Sequence, residues 1–379
     1  MKTTIVTTTI NIPELLPEYA ENAKYYGHTD LDFIVIGDCK SPVETADFCK
    51  TVPHYPCLYL DIAAQQQYLN RFPELWNHLR FDSIQRRNIG TLLAYERGAD
   101  VVITIDDDNF VMRQDLVGTH GMVGSVRELP TYGSTSGWFN VCSFLYADDG
   151  IKFYHRGYPQ KERWTEYRQF VTCSRVARRI AVNAGLWLDN PDIDALTRME
   201  RQPVVRGMKS SGKGSFALHA GTWSPFNSQN TAIMRDAIPA YFLSPYIGRY
   251  DDIWASYVIT RIAEHLNHAI CFGEPLVRQE RNPHDLWKDL DSERNGMIMT
   301  DDFCAALRSI PLKHTTYHDC FGEIAAALEG AWAVGATWTE SQKEWRSRLI
   351  EGMGIWHSVF NQIATARIPA AAPAGEAMS

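Results

Sequence analysis

The sequence of 379 residues lacks the signals of several common classes of protein. It has no run of about 18 apolar residues, which argues against a membrane-spanning helix. Residues 1–10 lack a basic segment followed by an apolar core, which argues against a secretory signal. The eight cysteines include no Cys-x-x-Cys pair, so their spacing indicates neither a zinc site nor a disulfide framework. We expect a soluble, cytoplasmic protein with reduced cysteines.

The sequence also lacks the glycine-rich motifs of two large enzyme classes. No Gly-x-Gly-x-x-Gly follows the first predicted strand and no Walker loop is present, which argues against a dinucleotide dehydrogenase and a P-loop ATPase. The formal net charge is −8, whereas nucleic-acid binding requires clustered lysine and arginine. We therefore expect no nucleic-acid partner, and an anionic substrate would have to be held by a metal or by a few arginines.

The most informative stretch that is present covers residues 99–110. Its β-branched run, residues 101–105, is typical of a strand buried on both faces of a parallel sheet. Three consecutive carboxylates follow, Asp106, Asp107 and Asp108, and adjacent anions at a strand end require a nearby cation. Mn²⁺ or Mg²⁺ is the candidate, with substrate phosphates completing its ligand shell. An acidic turn that caps the next element is the alternative.

The first 110 residues alternate between predicted strands and helices. Residues 3–10 and 31–38 are predicted strands that flank a helix, and residues 69–99 are mainly helical before the strand that ends at the three aspartates. Such alternation is typical of βαβ units with right-handed crossovers. Residues 323–328 and 338–364 predict C-terminal helices, for which core packing and contacts in a homo-oligomer are the two explanations.

Two loops contain further candidate side chains. Arg156 precedes Gly157, where the backbone can bend sharply, and such an arginine could clamp a phosphate or lie under a sugar. A surface loop arginine is the alternative. Asp192 and Asp194 lie in a turn that contains proline, where carboxylates can orient sugar hydroxyls or can simply be solvated.

A third stretch, Ile247-Gly-Arg-Tyr-Asp-Asp-Ile-Trp, leads into a predicted helix. Asp251 and Asp252 therefore stand near a helix N-terminus, whose partial positive charge stabilises anions. They are either helix caps or, together with Arg249, an acid, base or electrostatic partner that faces a sugar. The residues alone leave both readings open.

Together these stretches resemble the reversibly glycosylated polypeptides of plants, a family of UDP-arabinopyranose mutases. The resemblance rests on four motifs in the family's order and spacing: Thr104-Ile-Asp-Asp-Asp-x-Phe110, Arg156-Gly-Tyr-Pro159, Gly185-Leu-Trp-Leu-x-x-Pro-Asp-x-Asp-Ala195 and Ile247-Gly-Arg-Tyr-Asp-Asp-x-Trp254. Weaker agreement occurs at Gly221-Thr222, Asn230 and Asn282-Pro283. The family has a histidine a few residues before its Asn-Pro, where this chain has Val277-Arg-Gln-Glu-Arg281.

The resemblance implies a GT-A-like α/β fold, with a Rossmann-like, mixed and mainly parallel sheet, flanking helices and additional C-terminal helices. We expect a catalytic domain over residues 1–320 and a helical extension over 321–366, and the alanine- and proline-rich composition of the end of the chain predicts a disordered tail over 367–379. Asp106, Asp107 and Asp108 correspond to the family's metal-binding aspartates, and Arg156 to its reversibly glycosylated arginine. The expected ligands of the nucleotide sugar are Thr8, Asp38, Arg86, Asp106, Tyr158, Asp192, Asp194 and Arg249.

We therefore hypothesise a mutase, independent of flavin and NAD, that interconverts the pyranose and furanose forms of a UDP- or GDP-linked sugar. A bound Mn²⁺ or Mg²⁺ would neutralise the diphosphate as a leaving group. Arg156 would trap or flank the anomeric centre, and Asp252 or Asp251 would assist it, because a protonated guanidinium is a poor nucleophile. Two alternatives stay open: a glycosyltransferase that moves the sugar to an external acceptor or to its own arginine, and a non-catalytic nucleotide-sugar-binding subunit.

Overall fold

The computed structural model describes residues 1–166, 170–281, 285–335 and 337–366. The described strands are β1 (Thr3–Thr8), β2 (Leu31–Ile36), β3 (Cys57–Leu60), β4 (Val101–Thr104), β5 (Asn109–Val111), β6 (Val126–Ser134), β7 (Leu145–Ala147), β8 (Val171–Asp189), β9 (Val205–Met208), β10 (Phe216–Leu218), β11 (Thr231–Met234) and β12 (His268–Gln279). The predicted tail, residues 367–379, lies outside the described residues, as do Asn282 and Pro283.

Helices connect these strands and form the C-terminal part of the described chain. The α-helices are α1 (Leu16–Tyr25), α2 (Thr45–Lys50), α3 (Ile62–Leu69), α4 (Pro73–His78), α5 (Arg87–Glu96), α6 (Leu116–His120), α7 (Gln160–Thr165), α8 (Ala195–Glu200), α9 (Asp251–His265), α10 (Leu286–Ser309), α11 (Tyr317–Ala331) and α12 (Glu340–Ala366). Short 3₁₀ turns include Ile84–Arg86, immediately before α5, and Gly248–Tyr250, immediately before α9. No helix in the described part of the chain combines the length and the apolar character needed to cross a membrane.

A mixed sheet runs through the molecule in the order β3-β2-β1-β4-β11-β8-β6-β10-β12-β5. The strands β3, β2, β1 and β4 are mutually parallel, whereas β11 is antiparallel to both of its neighbours. In the second half, β12 pairs with β10 and also with β8, so the sheet curls back on itself. This arrangement confirms the predicted α/β class with a mixed sheet and additional C-terminal helices.

The parallel half of the sheet positions the candidate site. β1 and β4 are in register from Thr3 and Val101, so both strands end at the same edge, with Thr8 on one and Asp106 just beyond the other. The predicted strand at residues 31–38 ends at Ile36, which leaves Asp38 in the loop at this edge. Ligands of open α/β sheets bind at the carboxyl ends of the strands, and these residues lie there.

Close packing of α5 against the sheet brings a second set of side chains to the same edge. A Cβ atom at Gly90 would lie 2.5 Å from Cγ1 of Val6, so the glycine allows helix and strand to approach closely. The first residue of α5 is Arg87, which is fully buried. The absence of a side chain at Gly90 therefore lets α5 lie close to the sheet, and this close packing places Arg87 in the site.

The C-terminal helices pack onto the body of the protein. α10 lies against α8, α9 and the Gly248–Tyr250 turn, and α12 lies against α4. A Cβ atom at Gly352 would meet the ring of Phe242 at 2.7 Å, and the Trp356 indole donates a hydrogen bond to the Pro239 carbonyl at 3.1 Å. These helices support the loop that precedes α9.

Candidate active site

A cavity of about 260 Å³ opens at the carboxyl ends of β1 and β4 and at the start of α9. Polar side chains dominate its wall. Its charged lining residues within the described chain are Asp106, Asp107, Asp108, Asp192, Asp251, Asp252, Arg87, Arg156, Arg249 and Arg281. The cavity thus brings together most of the candidates from the four separate sequence stretches, including all three aspartates that follow β4.

Arg156 lies at the centre of a buried ion cluster in this cavity. Its Nε and Nη2 atoms donate to the two oxygens of Asp192 at 2.9 and 3.0 Å, and Nη2 also lies 3.2 Å from Asp252 Oδ1. The turn that holds it depends on Gly157, whose φ of +81° suits only glycine. Nη1 has no hydrogen-bond partner among the described residues. One guanidinium nitrogen is therefore left for a ligand.

Electrostatic attraction in this cluster is strong. Burial alone would lower the pKa of Arg156, but Asp192 and Asp252 outweigh it and raise the pKa well above its ordinary value. Burial would likewise raise the pKa of Asp192, yet the attraction of Arg156 and of other neighbouring cations holds it well below its usual range. Arg156 and Asp192 consequently remain charged over the physiological pH range.

The first turn of α9 contributes two carboxylates with different surroundings. Asp252 accepts hydrogen bonds from the backbone N–H of Ser228 at 3.0 Å and from Arg156. Asp251 accepts one from the Gln85 amide at 2.8 Å. Burial is the larger cause and repulsion from Asp252 the next largest, and together they raise the pKa of Asp251 to about 7. Asp251 can therefore exchange a proton near neutral pH.

Two of the three aspartates after β4, Asp106 and Asp107, contact different side chains. Arg87 Nη2 lies 2.6 Å from Asp106 Oδ1, and the Thr9 hydroxyl donates to Asp107 at 2.7 Å. Burial raises the pKa of Asp107, and burial together with the charge of Asp106 raises the pKa of Asp108 to about 7. Among the described residues, no three His, Cys, Asp or Glu side chains form a preassembled metal centre.

Arg87 joins the aspartates to the Arg156 cluster and was not among the predicted site residues. Its Nη1 donates to the Ser228 hydroxyl at 2.6 Å, and that residue in turn contacts Asp252. Burial would lower the pKa of Arg87, but Asp106 raises it. Arg87 reaches the site because it is the first residue of α5. Nothing in the sequence around it distinguishes it from the adjacent Arg86, so it was not predicted.

Arg281 and Asn227 were also missed, and both contact Asp192. Arg281 Nη2 lies 3.1 Å from Asp192 Oδ1, and the Asn227 amide donates to Oδ2 at 2.8 Å. The sequence signal for Arg281 was its place in the segment that departs from the family pattern. Asn227 carries no comparable signal.

A second cavity, of about 230 Å³, shares Thr8 and Asp107 with the first. It holds two other predicted residues. Asp38 accepts hydrogen bonds from the backbone N–H groups of Ser83 at 2.9 Å and of its own neighbour in the chain at 2.8 Å. Arg86 is buried, with its guanidinium 4.8 Å from the centre of the Phe81 ring. The two cavities therefore adjoin at Thr8 and Asp107.

Three predicted residues have mainly structural contacts. Asp194 caps α8 by accepting from the Thr197 N–H at 2.8 Å and does not line the first cavity. Tyr158 is buried against Trp138, also away from the cavity wall. Arg249 does line the cavity, but its Nε donates to Glu293 at 2.8 Å. Asp194 and Tyr158 therefore lie outside the cavity that forms the candidate site.

The raised pKa of Asp251 predicts a specific pH dependence of stability. The folded state holds this proton more tightly than the unfolded state, where the carboxyl titrates near its ordinary pKa of about 3.9. Its contribution is therefore complete below that value and is lost as the pH rises through about 7. We expect Asp251→Asn to gain stability relative to the parent as the pH increases from about 5 to about 8. Urea unfolding at several pH values measures the difference, and a constant difference would contradict the assignment.

The fold and the cavity define an α/β protein with an acidic, arginine-lined site at the ends of its parallel strands. A family model described as "Reversibly glycosylated polypeptide" matches residues 60–360. Since this match spans most of the sequence, the chain belongs to the reversibly glycosylated polypeptide family. The predicted resemblance is confirmed, and the structure has the mixed α/β sheet that the resemblance implies.

Several curated relatives are similar to the chain. A probable UDP-arabinopyranose mutase 1 of Solanum tuberosum is 30% identical over 274 residues, which cover 69% of this chain and 67% of the relative. UDP-arabinopyranose mutase 3 of Arabidopsis thaliana is 29% identical over 236 residues, which cover 59% of each protein. The chain thus spans little more than half of the length of the Arabidopsis relative.

Solved structures show a more distant similarity. A crystal structure of S. aureus TarS 1-349 in complex with UDP-GlcNAc aligns with a TM-score of 0.42 and 10% identity, covering 97% of this chain and 92% of that chain. Glucosyl-3-phosphoglycerate synthase from Mycobacterium tuberculosis, in complex with Mn²⁺ and UDP-glucose, aligns with a TM-score of 0.40 and 11% identity, covering 82% and 80%.

Proposed function

We propose that the protein is a metal-dependent mutase that interconverts the pyranose and furanose forms of a nucleotide-diphosphate sugar. One observation carries the proposal. The buried cluster of Arg156, Asp192 and Asp252 lines the same cavity as the aspartates after β4. A diphosphate held near those aspartates would therefore extend its sugar toward the unpartnered Nη1 of Arg156. The mutase names of the relatives support this reading.

The charge balance of the cavity supports a divalent cation. Six carboxylates and four guanidiniums line it, so a diphosphate would enter a cavity that is already negative. Burial is the main cause that raises the pKa values of Asp108 and Asp251 to about 7, and repulsion from a neighbouring aspartate adds to it in each case. Mg²⁺ and Mn²⁺ sites use one or two carboxylates with substrate phosphates, so no preassembled cluster is required. We propose that Asp106, Asp107 and Asp108 supply the protein ligands.

The remaining residues would bind and orient the substrate. A bound metal would neutralise the diphosphate and make it a competent leaving group. The nucleoside would occupy the second cavity, near Asp38 and Arg86, while Thr8 lies beside the path of the diphosphate. Asp192 would hold the guanidinium of Arg156 in place, because two of the three guanidinium nitrogens donate to the Asp192 carboxylate.

Two side chains would act on the sugar itself. Arg156 would meet the anomeric carbon through Nη1 in one of two ways. As a nucleophile it would form a bond from nitrogen to that carbon while the bond to the diphosphate breaks, and a guanidinium proton would pass to Asp252. As a fixed charge it would stabilise the departing diphosphate without a covalent bond. Ring exchange also requires a proton to leave one hydroxyl and reach another. Asp251 is suited to that transfer because its raised pKa lies near neutral pH. The intact mass of protein quenched during turnover separates a covalent Arg156 from an electrostatic one.

Product analysis tests the proposal directly. Purified protein is incubated with UDP- and GDP-linked sugars, UDP-arabinose included, in the presence of Mn²⁺, and the products are separated by chromatography with mass detection. We expect a product of equal mass to the substrate that forms without an acceptor. Free nucleoside diphosphate that appears only with an acceptor would instead identify a glycosyltransferase. Tight binding with no product from any sugar would favour a non-catalytic binding subunit.

A further inference from the structure

Arg281 differs from the other buried arginines of the cavity in having little compensation for its charge. Arg87 and Arg156 each make short contacts with a carboxylate and with a second partner. Among the described residues, Arg281 has one side-chain hydrogen bond, from Nη2 to Asp192 at 3.1 Å, and it shares that carboxylate with Arg156. Its side chain is only 10% exposed. The charge of this buried guanidinium is therefore only partly compensated, because Asp192 also pairs with Arg156.

Arg281 lines the cavity and has an unused hydrogen-bond donor. Its Nε has no hydrogen-bond partner among the described residues, although it is buried. A buried N–H without an acceptor is costly, so such a group is expected to find one when a ligand binds. Burial lowers the pKa of Arg281, and repulsion from Arg249 and Arg156 adds to it. An additional anion beside this side chain would relieve both effects.

The position of Arg281 indicates which anion this is. It contacts Asp192, the carboxylate that holds Arg156 and the proposed sugar end of the cavity. It also lines the same cavity as Asp108. Gln279, two residues earlier, reaches the same aspartate, with its amide nitrogen 3.3 Å from Oδ2. Arg281 therefore lies between the proposed metal and sugar positions.

We propose that Arg281 binds the sugar-bearing phosphate of the substrate's diphosphate and stabilises its charge when the bond to the sugar breaks. The inference rests on the proposed function and extends it, because it assigns a binding residue in the loop where this chain departs from its family. Guanidinium N–H groups match phosphate oxygens in geometry and charge. Nε and the free edge of the guanidinium would supply the contacts.

Calorimetric titration with inorganic pyrophosphate and Mn²⁺ tests this without knowledge of the nucleotide base. We expect Arg281→Gln to weaken pyrophosphate binding by about 10- to 100-fold, the effect of losing a charged hydrogen bond. Arg281→Lys should recover part of the loss. Nucleoside monophosphates, which lack the second phosphate, should bind the parent and Arg281→Gln equally well.

Arg278→Gln is the matched control. This arginine lies three residues earlier, is 41% exposed and covers the Phe110 ring outside the cavity, so its loss should leave pyrophosphate binding unchanged.

Equal pyrophosphate affinity in the parent and Arg281→Gln would overturn the inference and leave the proposed function intact. An equal loss for monophosphates would overturn it as well, because it would indicate a general disturbance. Pyrophosphate binding by a parent that isomerises no nucleotide sugar would contradict the proposed function alone.

Discussion

Arg156→Lys is expected to slow isomerisation of the nucleotide sugar by about 100- to 1000-fold, the usual effect of removing one positioned donor from an active site. Lysine retains a positive charge beside Asp192 and Asp252, so these buried carboxylates keep a cation. It cannot reproduce the planar fork that donates to Asp192 through two nitrogens while it leaves a third free. Initial rates at saturating substrate measure the effect.

Lysine is preferred to alanine for this test because removing one partner of a buried ion pair costs about 3–5 kcal/mol. Arg163→Lys provides the control. Arg163 follows in the same segment and pairs with Asp194 at 2.7 Å, but it does not line the cavity. We expect its rate to stay close to the parent's. Equal rates for Arg156→Lys and the parent would remove Arg156 from the mechanism.

Removal of divalent metal is expected to abolish isomerisation, and Mn²⁺ or Mg²⁺ should restore it. Without a cation, a diphosphate would meet the acidic side chains that follow β4 in a cavity with more carboxylates than guanidiniums. Chelation with EDTA, followed by readdition of metal, measures the dependence of the rate. Full activity after complete chelation would contradict the metal assignment.

Metal binding should also stabilise the fold. When free Mn²⁺ exceeds its Kd about 100-fold, the gain is about 2.7 kcal/mol. We expect this gain in the parent and its loss in Asp108→Asn, measured as the Mn²⁺-dependent shift in Tm. Asp189→Asn is the control, because Asp189 lies outside the cavity and its φ of +64° is readily accepted by asparagine. A full shift in Asp108→Asn would exclude Asp108 as a ligand.

The parallel half of the sheet was predictable because its strands are continuous apolar runs. The β-branched segment before Asp106 forms β4, and the two earlier strands were located within two residues of their observed ends. The long strand β8 was not predicted. Its first residues are exposed and include several polar side chains, so they lack the apolar pattern by which strands are recognised.

The candidate site was predictable where a motif ends a strand or begins a helix. The aspartates after β4 and the pair Asp251 and Asp252 were found in this way. Arg87 and Arg281 were not, because each belongs to the site only through tertiary packing: Arg87 through the close approach of α5 at Gly90, and Arg281 through a contact with Asp192, 89 residues earlier. Apart from the departure from the family pattern around Arg281, the sequence carries no local sign of these contacts.

Positional isotope exchange tests the central claim most directly. The claim is that the bond between the anomeric carbon and the diphosphate breaks while the diphosphate stays bound beside Arg156. A nucleotide sugar labelled with oxygen-18 at the bridging position is incubated with the protein and Mn²⁺, and phosphorus NMR follows the label. The account predicts that the label moves into the non-bridging positions without an acceptor, and more slowly in Arg156→Lys. An isomer that forms while the label stays entirely in the bridging position would contradict it.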